Sequence, residues 1–195
     1  MRRHDFSWFE RVRWGVNEKV ISRGEIVSAL TARRARGHQV VFTNGCFDLM
    51  HVGHTRYLQA ARDLGDCLVV GVNTDRSVRG LNKGSDRPIV PEQQRAEVLS
   101  ALACVDYVVL FDEPDPGRLI AEILPDVLVK GGDWSPDKII GRETVEARGG
   151  VVKTIPLVPG VSTTAIVEKI RKIVIRESLY VEENKPKRSR AKKTD

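Results

Sequence analysis

Thr43-Asn44-Gly45-Cys46-Phe47-Asp48-Leu49-Met50-His51-Val52-Gly53-His54 is the stretch whose reading decides the fold. An apolar run from Gln39 to Phe42 precedes it, and Tyr57, Leu58, Ala61 and Leu64 recur behind it at helical spacing. The order is strand, polar turn, helix. Free backbone N–H groups at such a helix start face the carboxyl end of the strand, where the helix dipole favours an anion. A phosphate is the natural occupant. Gly45 permits close backbone approach, and Gly53 leaves the space between His51 and His54 free of a side chain, so two imidazoles can face one phosphate chain. His-x-x-His also occurs in metal sites, but the other two histidines, His4 and His38, sit in no motif, and no Cys cluster completes a ligand set.

Outward from this stretch the pattern alternates. Strands are expected at 40–43, 67–73, 105–111, 127–130 and 151–156, and helices at 54–64, 91–103, 116–124, 141–148 and 163–177. Five short apolar strands separated by helices imply an α/β fold with a parallel sheet covered on both faces. Before the first strand, Ser22 and Glu25 form the pattern of a capping box, opening a helix that runs to about Arg36 and ends at Gly37. Ligands in such folds bind across the carboxyl ends of the strands.

The residues just after each strand therefore carry the weight. After the second strand a long polar segment holds Arg76, Arg79, Lys83 and Arg87, more cations than a connection needs, and it reads as a clamp on phosphates. Lys130-Gly131-Gly132-Asp133-Trp134 follows the fourth strand. A lysine there is costly to bury and should reach into the cleft, where an anionic ligand balances it. After the fifth strand, Ser162-Thr163-Thr164 precede a helix, as a helix cap or as a second phosphate cradle.

The 195 residues suit one domain, 22–178, with an amino-terminal extension, 1–21, and a basic tail, 179–195. Trp8 and Trp14 lie in the extension, a segment able to pack on the domain or on a second subunit, so a homodimer stays open. Of the net charge of +6, Lys185 to Asp195 supply +5, from six Lys or Arg against one acid. The charge is thus a property of the tail and gives only weak support to a nucleic-acid or lipid partner. With no apolar span of membrane length and no signal-peptide core at Met1-Arg2-Arg3-His4-Asp5, the expected location is the cytoplasm, without membrane attachment. Cys46, Cys67 and Cys104 lack metal spacing and read as buried free thiols.

The central stretch resembles the signature of the cytidylyltransferase-like nucleotidyltransferases, Gly-x-Phe-Asp-x-x-His-x-Gly-His, at Gly45, Phe47, Asp48, His51, Gly53 and His54. Further segments, at 71–78, 87–95, 128–134 and 162–166, are similar to the adenylyltransferase branch that serves ADP-heptose synthesis. The resemblance implies a single Rossmann-like, doubly wound five-stranded sheet. It also implies transfer of AMP from ATP to D-glycero-β-D-manno-heptose 1-phosphate, giving ADP-heptose and pyrophosphate for lipopolysaccharide core or related glycan synthesis. His51, His54 and Lys130 would act in catalysis, and Lys83 and Arg87 on the substrate phosphate. Thr43, Gly45, Phe47, Asp48, Gly53, Arg95, Gly131, Asp133, Ser162, Thr163 and Thr164 would bind nucleotide. Mg²⁺ would be held mainly through substrate phosphates, without a dedicated protein metal site, and Asp48 would orient the turn. No sugar-kinase segment precedes this stretch, so the phosphorylated sugar is expected from a separate enzyme. A CTP-dependent transferase acting on glycerol 3-phosphate or phosphoethanolamine, a more distant FAD synthetase and a noncatalytic nucleotide-binding module share the signature. An RNA-binding module would rest on the tail and the amino-terminal aromatics alone.

Overall fold

In the computed structural model, residues 18–81, 86–132, 134–135 and 138–183 are described. Lys83, Asp133 and most of both terminal extensions lie outside them. Helix α1, Arg23–Arg34, opens with the capping box: Ser22 Oγ accepts from Glu25 N at 3.3 Å while Glu25 Oε2 accepts from Ser22 N at 2.8 Å. Two orphan donors of the first turn are thereby satisfied, and Arg33 and Arg34 in the last turn suit the negative end of the dipole.

There follow β1 (Val40–Gly45), α2 (Val52–Arg62), β2 (Cys67–Asn73), α3 (Asp75–Gly80), α4 (Glu92–Ser100), β3 (Tyr107–Phe111), α5 (Gly117–Ile123), β4 (Val127–Gly131), α6 (Arg142–Glu146) and β5 (Val151–Ile155). The five strands form one all-parallel sheet in the order β3-β2-β1-β4-β5. Side chains alternate between its faces. Val40, Phe42, Val69, Val109 and Leu128 pack with Ile26 and Leu30 of α1 and with Leu119, Ile120 and Ile123 of α5. Val41, Leu68, Val70, Val72, Val127 and Val129 pack with Leu58 and Ala61 of α2 and with Ala96 and Leu99 of α4. The fold is the expected Rossmann-like one.

Three details depart from the sequence pattern. The polar segment after β2 is not all loop: Thr74 caps α3 by accepting from Ser77 N at 3.2 Å, and six residues suffice for a turn and a half once that cap exists. Strand β3 starts at Tyr107, because Val105 N donates to Leu102 O in a turn. The outer edge of β3 is covered by residues 19–21, with Val108 N donating to Lys19 O at 2.8 Å and Ile21 N to Val108 O at 3.0 Å. An otherwise unpaired strand edge is thereby closed.

The chain divides into two compact units, Met1–Leu157 and Val158–Asp195. The first carries the sheet, and the second contains α7, Thr163–Glu183. Among the described residues no helix is long and apolar enough to cross a membrane.

Candidate active site

The turn between β1 and α2 doubles back at Phe47, whose φ of 47° is left-handed. A Cβ on Gly45 would stand 3.1 Å from the Phe47 ring, so glycine there lets the turn close. His51 takes the N-cap position of α2 without making a side-chain cap. One turn on, the His54 ring stacks on it, centroids 3.8 Å apart and planes 18° from parallel, and Phe47 meets His54 edge-on at 5.4 Å. Nδ1 of each histidine is buried without a protein partner. Burial lowers both imidazoles. His54 goes down to about 4, pressed further by His51 and partly offset by a hydrogen bond with the Leu49 backbone. Two neutral, stacked imidazoles with unsatisfied buried nitrogens at a helix N-terminus form a site suited to phosphate oxygens, since an unpaired buried polar atom costs about 1–3 kcal/mol.

Tyr57, one turn beyond His54, ties this helix to the sheet. Its hydroxyl lies 2.6 Å from Thr43 Oγ1 and donates to Val129 O at 3.3 Å. Burial pushes the phenol up to about 12. Gly131 lies against the same ring, where a Cβ would come within 3.3 Å of Tyr57 Cε2. Thr43, expected at the nucleotide, is fully buried in this contact. Lys130, at the end of β4, donates from Nζ to Asn44 Oδ1 at the end of β1. Burial lowers its ammonium to about 8, with the Asp115 carboxylate opposing.

Asp48 and Arg95 organise the turn from behind. The Asp48 carboxylate, with a fully buried side chain, accepts from Arg87 Nε at 2.5 Å, from Ile89 N at 2.9 Å and from Val90 N at 2.8 Å. It ties the signature turn to the end of the cationic segment. Among the described residues Arg95 is the largest fully buried side chain. Its Nε donates to Val90 O at 2.9 Å, Nη1 to Cys46 O at 2.5 Å, and Nη2 to Asn73 O at 2.8 Å and Asp75 Oδ1 at 2.7 Å. These bonds join the signature turn, the end of β2, α3 and the entry to α4. Arg87 and Arg95 thus meet at residues 89–90, one through Asp48 and the other directly. Gly53 lies in the first turn of α2.

Ser162 belongs to the second compact unit and caps α7 there, its Oγ accepting from Ala165 N at 3.1 Å, with Thr163 and Thr164 in the first turn. Sequence spacing assigned Asn44 and Asn73 no role, and marked Tyr57 only as part of a helix face. The only prior sign of them was position, a polar residue at a strand end for the asparagines and one helical turn from His54 for Tyr57.

Residues 42–169 match the profile of the cytidylyltransferase-like family. The chain is 56% identical over 154 residues to the bifunctional protein HldE of Citrifermentans bemidjiense, covering 79% of this chain and 31% of that protein. With the HldE of Geotalea uraniireducens the identity is 53% over 159 residues, 82% and 32% of the two lengths. The chain therefore spans about a third of the length of these curated relatives. Among solved structures, the lipopolysaccharide core biosynthesis protein of Thermoplasma volcanium superposes with a TM-score of 0.53 at 33% identity, over 63% of this chain and 98% of that one. Pantothenate synthetase of Thermus thermophilus, 18% identical with a TM-score of 0.50 over 72% and 62% of the two chains, shares the fold alone.

Proposed function

Because the chain belongs to the cytidylyltransferase-like family, we propose that it is a nucleotidyltransferase moving AMP from ATP onto D-glycero-β-D-manno-heptose 1-phosphate in the cytoplasm. The observation that carries the reading is the stacked His51–His54 pair at the start of α2, with its unpartnered buried nitrogens. A sugar phosphate oxygen attacks the α-phosphorus of ATP in line, the bond from that phosphorus to the bridging oxygen breaks, and pyrophosphate leaves. The acceptor phosphate is already a nucleophile, so no protein base is required. Catalysis is positioning together with charge stabilisation.

His51 and His54 hold the triphosphate, with His54 nearest the transferring phosphorus, and Lys130 meets the developing negative charge. Arg87 and Lys83 serve the sugar phosphate or pyrophosphate side, and Ser162 and Thr163 the leaving pyrophosphate. Gly131 and Asp133 serve the nucleoside. Arg95 acts on the nucleotide through the turn it anchors. Mg²⁺ would be held mainly through the substrate phosphates, with few protein ligands, and would neutralise part of their charge. Among the described residues no group of three His, Cys, Asp or Glu side chains is arranged to hold a metal.

Support for the heptose acceptor comes from the branch resemblance and from two similarities, one to HldE proteins and one to a protein named for lipopolysaccharide core biosynthesis. The test is kcat/KM for pyrophosphate release with ATP and with CTP on the same heptose 1-phosphate, then both nucleotides with glycerol 3-phosphate. ATP with the heptose phosphate is expected to win. Preference for CTP, or no turnover of the heptose phosphate, overturns the branch while leaving nucleotidyl transfer open to other acceptors.

A further inference from the structure

The strand order reverses at β1, which has β2 and β3 on one side and β4 and β5 on the other. The crevice at such a switch point is where ligands of parallel α/β sheets bind. The β1–β4 ladder runs from Val41↔Val127 to Phe42↔Leu128 and goes no further. Continuing its register places Thr43 opposite Val129 and Asn44 opposite Lys130, two residues past the last pair. Asn44 and Lys130 also share a face, since Phe42 and Leu128, two residues before each, belong to the same core cluster. Across the mouth of the crevice, Lys130 Nζ donates to Asn44 Oδ1. On its other side Asn44 is backed by β2. Its strand partner is Gly71, where an added Cβ would stand 3.2 Å from Asn44 Cβ and 2.9 Å from Phe42 Cζ. A side chain at 71 would displace Asn44 from this position.

We propose that Asn44 is a positioning residue that holds the Lys130 ammonium over the β1–β4 crevice while leaving its charge available for the phosphates of the nucleotide. The chemistry of the acceptor carries the point. A carboxylate at this position would pair with the ammonium and neutralise it before any substrate arrived. An alanine would leave the lysine without its anchor. An amide oxygen fixes the nitrogen and takes none of its charge. Among the described residues the charge acting on Lys130 is Asp115, in the connection before α5, and the Tyr57 phenol below Gly131 titrates too high to compete. The inference rests on the nucleotidyl-transfer reading, because it assigns the freed charge to a polyphosphate.

Two measurements test it separately. NMR of lysine ε-carbons in the unliganded protein, with the Lys130 signal assigned from its loss in Lys130→Met, reports the titration of this ammonium without any substrate. Asn44→Asp should move that titration upward by about one pH unit or more, as an opposite charge in contact does, whereas Asn44→Ala should not raise it. Steady-state kinetics with ATP and heptose 1-phosphate should show a loss for Asn44→Asp of about tenfold or more, expressed mainly in KM for ATP, and a smaller loss for Asn44→Ala. In a Lys130→Met background, Asn44→Ala should cost nothing further, since the two residues act as one unit. An unmoved Lys130 titration in Asn44→Asp overturns the proposal, as does a full additional loss for Asn44→Ala without the lysine. If the titration moves as expected while the parent protein turns over no nucleotide, the placement of Lys130 by Asn44 stands and the nucleotidyl-transfer reading fails.

Discussion

Asp48 and Arg87 form an ion pair 2.5 Å long between a fully buried carboxylate and a guanidinium 16% exposed, and the same carboxylate takes the backbone N–H groups of Ile89 and Val90. One side chain of the signature turn thus holds the root of a segment thirty-nine residues downstream. Asp48→Asn keeps the shape, but its NH₂ faces donors and Arg87 loses its counter-charge. Removing one partner of a buried pair costs about 3–5 kcal/mol. The melting temperature should fall by roughly 10 °C in a chain of this size. Adding Arg87→Met to Asp48→Asn should recover part of the loss, because the two effects are coupled. Calorimetry of the single and double variants checks this, and an Asp48→Asn protein melting within about 2 °C of the parent would remove the clamp.

Arg95 is expected to act on stability first and on nucleotide second. Arg95→Lys retains the charge, yet one ammonium cannot span Val90 O, Cys46 O, Asn73 O and the Asp75 carboxylate, all of which Arg95 reaches. Carbonyls left unpaired in the interior cost about 1–3 kcal/mol each. Denaturant unfolding should show a loss on the order of 3 kcal/mol, with kcat falling in the fraction that stays folded because the turn is loosened. A variant as stable as the parent with only KM for ATP raised would instead put Arg95 in direct contact with the nucleotide.

Tyr57→Phe isolates a hydroxyl with no acid–base task, since the phenol is held at about 12. The change strips Thr43 Oγ1 of its buried partner and removes the bond to Val129 O. A loss of about 1–2 kcal/mol in unfolding free energy is expected, with a pH–rate profile of unchanged shape. A profile that changes shape would give the phenol a chemical role.

The parts of this site that could be read from the sequence are those in which chemistry and spacing lie in one contiguous stretch. Gly45, His51 and His54 are twelve residues or fewer apart, and the helix that follows fixes their relative positions. The inner strands were legible because burial makes Leu68 to Val70 or Val127 to Val129 continuously apolar, whereas β5, with no buried residue, showed itself by its β-branched run and its place after a helix. Arg95 could be found by resemblance but not by geometry, because its four acceptors come from residues 46, 73, 75 and 90. Only the closed fold makes them neighbours. Asn44 was hidden for the same reason, since its partner is eighty-six residues away. Helix α3 escaped because six residues, Asp75–Gly80, are too short to display a period and depend on the Thr74 cap.

The histidine pair sets a pH dependence whose sign follows from its burial. Folded His54 sits at about 4 against 6.5 for a free imidazole. Between those values the unfolded chain binds a proton that the folded protein refuses. Stability is therefore complete above about pH 6.5 and falls by on the order of 1–3 kcal/mol as pH drops towards 4. A bound polyphosphate reverses the bias, because adjacent negative charge favours the imidazolium and supplies an acceptor for a buried nitrogen. Nucleotide binding near pH 6 should hence be accompanied by proton uptake. Titration calorimetry of a nonhydrolysable ATP analogue, in buffers of different ionisation enthalpy, reads that uptake directly. His54→Gln, which cannot titrate, should take up fewer protons than the parent, any protonation of the nucleotide itself being common to both. The same variant should lose ~10²-fold or more in turnover, the usual consequence of removing a preorganised donor from a transition state. Equal proton uptake by the two proteins would show that His54 does not meet the phosphates.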